Sequence, residues 1–212
     1  MTAAQRLDRD RQAAPQVFER LREMIVSLVL PPGETLSRLK LAKDFGLSST
    51  PIRDALMRLN EEGLVDVFPQ HATVVSKIDI DAAQQAHFLR RSLELEIVRM
   101  LALEHEPGLI EELNRTIALQ QHFASTGDFA AFMAADNDFH WQLYAAAAKR
   151  ELWMLVRSRS GHIDRLRRLH LPTPGKAQDI VLHHQMIVQA IESRQLGYLG
   201  EIRARHPDYL RD

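Results

Sequence analysis

The sequence has no cysteine in its 212 residues. This excludes disulfides, thiol nucleophiles and thiolate metal sites, and it leaves any metal to His, Asp or Glu. No apolar run approaches the roughly 18 residues of a membrane helix. The opening MTAAQRLDRDRQAA is charged where a secretion signal has an apolar core, so the expected address is the cytoplasm, without a membrane partner. An excess of one charge is also lacking: the net charge is −1, and a cut after residue 78 leaves 11 basic against 10 acidic residues before it and 16 against 18 after it. A nucleic-acid partner must therefore be read from local placement, not bulk charge. Aromatics are only 6%, yet hydrophobic residues reach 45%, ample for a buried core, and ten histidines are available as ligands.

Up to residue 78 the chain mixes short helical periods with punctuation. Val17, Leu21, Met24, Ile25 and Leu28 recur at helical spacing until Pro31-Pro32-Gly33 removes donors and forces extended backbone. A second helix reads from Ser37, a plausible N-cap, through Phe45 to Gly46, the residue type that ends helices in the left-handed region. A third begins in GLSSTPIRDAL, where Ser48 or Thr50 can cap and Pro51 falls in the first turn, where its missing N–H costs nothing; Gly63 ends it. The connection Gly46-Leu47-Ser48 is the tight turn of a helix-turn-helix. The period then falls to two over Leu64–Phe68 and Thr73–Val75, predicting a two-stranded hairpin around a polar tip that carries His71. From residue 79 every period is helical, roughly over 79–105, 108–126, 128–148, 150–171, 176–194 and 197–211. The expected fold is mainly α: a flexible tail (1–14), a winged helix-turn-helix with a small β-hairpin wing (15–78), and an all-helical bundle (79–212).

A recognition helix lies in the major groove with its N-terminal residues toward base edges and its free amides toward phosphate. Ser48, Ser49, Thr50 and Arg53 occupy those positions, and His71 at the hairpin tip is placed for the minor groove or backbone. The plainer alternative is that the hydroxyls only cap and Arg53 pairs with Asp54 or Glu61 on a solvated face. In the bundle, Asp136 and His140 lie one turn apart on one helix face, with His184 and His206 on later helices. Three imidazoles and a carboxylate suit Zn, Ni or Mn with positions left open, although histidines on apolar faces are also common as hydrogen-bonded core residues. Arg90 lies four residues before Glu94, the spacing of an ion pair on the helix surface. Arg165, Arg167 and Arg168 could add cavity charge or form a solvated face, and His162, His170 and His183 are expected at solvent or a helix interface.

Residues 15–78, with LPPGETLSRLKLAKDFGLSSTPIRDALMRLNEEGLVDVFPQHATVV, resemble the DNA-binding domain of GntR-type bacterial transcription regulators. The resemblance implies that Ser48, Thr50 and Arg53 meet operator DNA, with His71 in the minor groove. Arg38, Leu39 and Ser49 depart from the family pattern, which predicts an altered guanine readout. Residues 79–212 resemble the FCD effector domain of the FadR subfamily, in its short VanR-like form. That resemblance implies a divalent metal on Asp136, His140, His184 and His206, with Arg90 toward the ligand. It further implies a homodimeric regulator, a repressor released from a palindromic operator by a small organic acid. The rivals are a metal-dependent hydrolase using the same four ligands, and a constitutive DNA-binding protein with a structural metal.

Overall fold

The computed structural model describes residues 7–8, 10–68 and 72–194. It divides into two compact units, Met1–Asp79 and Ile80–Asp212. The first contains α1 (Ala13–Val26), β1 (Thr35–Leu36), α2 (Arg38–Phe45), α3 (Ser49–Glu61), β2 (Val65–Val67) and β3 (Thr73–Val75). α1 starts inside the stretch expected as tail, and the buried Gln16 side chain bonds both the N–H and the carbonyl of Asp8.

Val17, Leu21 and Ile25 on α1 pack with Ile52, Ala55, Leu56 and Leu59 on α3 and with Leu41 on α2, because the apolar period of each helix turns one stripe inward. The sheet, in order β1-β3-β2 and antiparallel throughout, closes this core with Leu36, Val65 and Val75. β1 corrects the expected two-stranded hairpin. At two residues it is too short to show alternation, and it exists because Thr35 and Leu36 pair with Val74 and Thr73.

The second unit contains α4 (Ile80–Leu103), α5 (Leu109–Thr126), α6 (Phe129–Ala146), α7 (Arg150–Arg159), α8 (Gly161–His170) and α9 (Lys176–Ser193). α5 ends at Gly127, left-handed with φ 72°, and Asp128 then caps α6 by accepting from the Ala131 N–H. The single helix expected over 150–171 is broken at Ser160. Its hydroxyl bonds back to the Val156 carbonyl and glycine follows, two features that weaken a helix interior. The helix expected over 197–211 lies outside the described residues.

α6 is apolar on most sides and buries Phe132, Phe139 and Leu143 together with Asp136 and His140. α8 buries every residue from Gly161 to Arg167. Of the arginine run, Arg165 and Arg167 are turned inward, and His162 and His183 are buried within the bundle.

Candidate functional site

In the first unit, Ser37 caps α2 by accepting from Lys40 N–H, and Gly46 ends that helix with φ 66°. Leu47 N–H bonds the Ala42 carbonyl at 2.9 Å, which folds the turn tightly and packs the leucine on the core. Ser48 then starts α3 from extended backbone, but its hydroxyl makes no capping bond. This corrects the expectation that the side chain caps, and it leaves the first amides of α3 without a side-chain acceptor, the arrangement that suits a phosphate oxygen. Ser48, Ser49, Thr50 and Arg53 are all exposed, opposite the buried stripe of Ile52, Ala55, Leu56 and Leu59. Arg53 does lie beside Asp54, at 3.4 Å, with both side chains about half exposed, a contact weak enough for DNA to replace. Leu39 is 79% exposed between the exposed Arg38 and Lys40. His71 lies outside the described residues.

In the second unit the helices bring Asp136, His140 and His184 together, all buried. Asp136 Oδ1 is 3.9 Å from His140 Nε2 and 3.7 Å from His184 Nε2, and the two imidazole nitrogens are 3.1 Å apart. Metal bonds of about 2.0–2.2 Å separate neighbouring ligand atoms by about 3–3.5 Å, so this triangle is close to a coordinating one. His206, the fourth expected ligand, lies outside the described residues.

The surroundings decide how the imidazoles present themselves. Gln120 donates from Nε2 to the Ala135 carbonyl, which turns its Oε1 toward His184 Nδ1 at 2.8 Å. That nitrogen must therefore carry the proton. Glu94 Oε1 lies 2.9 Å from His140 Nδ1 and imposes the same tautomer. Burial and then the Arg90 charge push the His140 pKa down, against the pull of Glu94. Burial and then His140 push His184 well below its ordinary value. With both Nδ1 atoms engaged, the two Nε2 atoms face each other across 3.1 Å, an arrangement that a shared proton or a cation between them satisfies. Phe139 stacks on His184 with centroids 4.1 Å apart and fixes the ring plane.

Arg90 combines both of its sequence readings. It bonds Glu94 Oε1 at 2.9 Å, as the helical spacing predicts, yet it is buried and its Nη2 lies 3.6 Å from Asp136 Oδ2. Arg167 Nη2 meets Asp136 Oδ1 at 2.5 Å. Burial alone would raise the Asp136 pKa, but Arg167 first, then His140 and Arg90, hold it far below the usual carboxylate range. Sequence reasoning named Arg167 only as one of three arginines that could add cavity charge and Glu94 only as a surface partner of Arg90, and it missed Gln120. The spacing of Arg90 and Glu94 showed their pairing but not its burial, and Arg167 was hidden in a basic run. For Gln120 no sequence signal existed.

A helix-turn-helix with a three-stranded wing, followed by a helical unit with a buried polar cluster, is the architecture of a DNA-binding regulator of transcription. Residues 13–75 match the family described as bacterial regulatory proteins, gntR family, and residues 85–206 match the FCD domain. The chain belongs to the GntR family of bacterial regulators and carries an FCD domain. It is 34% identical to an HTH-type transcriptional regulator in an unstable DNA locus of Streptomyces ambofaciens, over 82% of this chain and 73% of that protein. It is 24% identical to the HTH-type transcriptional repressor RspR of Escherichia coli strain K12, over 97% and 90%. Escherichia coli McbR/YncC shares its fold with a TM-score of 0.75 at 20% identity, covering 92% and 95% of the two chains. These relatives are regulators, so the hydrolase reading is set aside. Among the described residues no helix is long and apolar enough to cross a membrane.

Proposed function

We propose that this regulator is a homodimeric repressor that senses a small organic acid beside a divalent metal. The observation that carries the sensing half is the pair of imidazoles, each with a partner on Nδ1, converging with Asp136 on one point. Asp136, His140 and His184 would hold the ion, with His206 as a fourth ligand proposed from the sequence alone. A bound Zn, Ni or Mn would offer open positions to a carboxylate. Arg90 would then orient the acid from the other side of Asp136.

The DNA half rests on the exposed N-terminal edge of α3. Ser48, Ser49 and Thr50 offer hydroxyls and amides to phosphate, and Arg53 is the group able to take a guanine edge. A homodimer presents two such helices, so the operator would be an inverted repeat. RspR, a similar protein, is named a repressor, which supports that sign of control. The acid releases DNA only by favouring the dimer arrangement that binds DNA less well.

Selection of duplexes from a random pool, followed by gel shifts with a panel of small acids, tests the whole reading. The expected outcome is a two-fold symmetric site from which at least one acid displaces the metal-loaded protein. Sites without symmetry, or a complex indifferent to every acid, would contradict it.

A further inference from the structure

The metal reading makes a demand of Asp136 that the structure shows being met by another cation. Its Oδ1 is the oxygen facing both imidazole nitrogens, at 3.7 and 3.9 Å, and the same oxygen is held by Arg167 Nη2 at 2.5 Å. At this buried cluster the carboxylates of Asp136 and Glu94 are paired with the guanidinium groups of Arg90 and Arg167. These four groups match two charges against two before any metal enters. A divalent ion placed on Asp136, His140 and His184 would bring two further positive charges into a site that already holds two guanidinium groups, and buried excess charge is strongly unfavourable.

We propose that Arg167 is the resident counter-cation of this site: it occupies the metal-facing oxygen of Asp136 until a divalent ion displaces it, and its freed guanidinium then receives the anionic effector. The inference rests on the metal reading above and deepens it. Charge balance sets the ligand class, because two added positive charges are neutralised by a dianion, such as a dicarboxylate with one carboxylate on the metal and the other on Arg167. Metal and dianion then bind together, each raising the affinity of the other by the same factor.

The test is Zn²⁺ titration of the full chain by calorimetry, for wild type, Arg167→Gln, Arg167→Lys and His184→Ala, with and without succinate as the dianion probe. R167Q keeps hydrogen-bonding capacity without the charge, so it is expected to bind Zn²⁺ alone about tenfold or more tightly than wild type. R167K, which keeps the charge, should stay near wild type. Succinate should tighten Zn²⁺ binding to wild type by about tenfold and leave R167Q much less affected. If R167Q binds Zn²⁺ no more tightly than wild type while H184A loses it, the role of Arg167 is overturned and the metal site stands. If no form binds Zn²⁺, both readings fall. Should R167Q not fold, wild type decides: affinity that rises with succinate supports the proposal, and affinity indifferent to it overturns the proposal.

Discussion

Among the described residues, the first unit buries apolar side chains with only Gln16, Thr73 and Ser76 as polar company, whereas the second buries Arg90, Glu94, Asp136, Asp164, Arg165 and Arg167 with five histidines. The functional residues follow the opposite rule in each. The side chains proposed to face DNA stand in solvent on a dry core, and those proposed to sense a ligand lie inside their unit. A reader of a polyanion needs charge that water can be stripped from cheaply on contact, and exposed, weakly paired groups such as Arg53 provide it. A sensor needs the reverse, because only a buried and balanced set of charges makes one added ion felt throughout its surroundings.

The contrast is broken most directly by Asp136→Ala. It strands Arg167 and Arg90 without their shared carboxylate, and a loss of about 3–5 kcal/mol in stability of the second unit is expected in chemical unfolding. A loss under about 1 kcal/mol would show that the charges are not structurally coupled. Leu59→Ala attacks the dry core instead. Leu59 is fully buried between α1 and the sheet, and about 2–5 kcal/mol is expected, with DNA binding lost as the first unit melts.

pH separates the units further. His140 and His184 have pKa values below those of the unfolded chain, so the unfolded state takes up more protons as the medium is acidified. Their contribution is complete above the unfolded value of about 6.5 and declines as pH falls below it. The depressed pKa of Asp136 has the same sign at lower pH: its contribution is held above the unfolded value of 3.8 and lost below it. Melting curves of the metal-free protein from pH 8 to about 5 should therefore show the second unit weakening before the first, which has no buried charged group among its described residues.

Smaller effects sharpen the surface side of the comparison. Gly46→Ala meets no neighbouring atom, yet at φ 66° it should cost about 1 kcal/mol through backbone strain alone. Arg53→Ala should leave stability within about 0.5 kcal/mol. In a gel shift on the selected operator, however, it should lower affinity by about tenfold.

The first unit was legible because its signals are local. Gly46, Pro51 and Gly63 mark helix ends at fixed offsets, and the shift from helical to alternating period announces the wing. β1 was invisible because its partners lie 38 or so residues away and its two residues carry no pattern. In the second unit the spacing of Asp136 and His140 gave a pair on one face, and the metal ligands came from a family pattern. What sequence could not give was the ring of partners. Glu94 and Gln120 reach the imidazoles only because α4 packs on α6 and α5 on α9, and α8 turns a basic run inward only because Ser160 breaks the preceding helix. Burial of charge is a tertiary property, and a run such as DRLRRLH reads as surface until its neighbours are known.

Metal content of the purified protein, measured by mass spectrometry for wild type, His140→Ala and His184→Ala, tests the central claim most directly. The account predicts near-stoichiometric divalent metal in wild type after reconstitution and its loss in both variants. Wild type without metal after reconstitution, or metal retained by both variants, would contradict it.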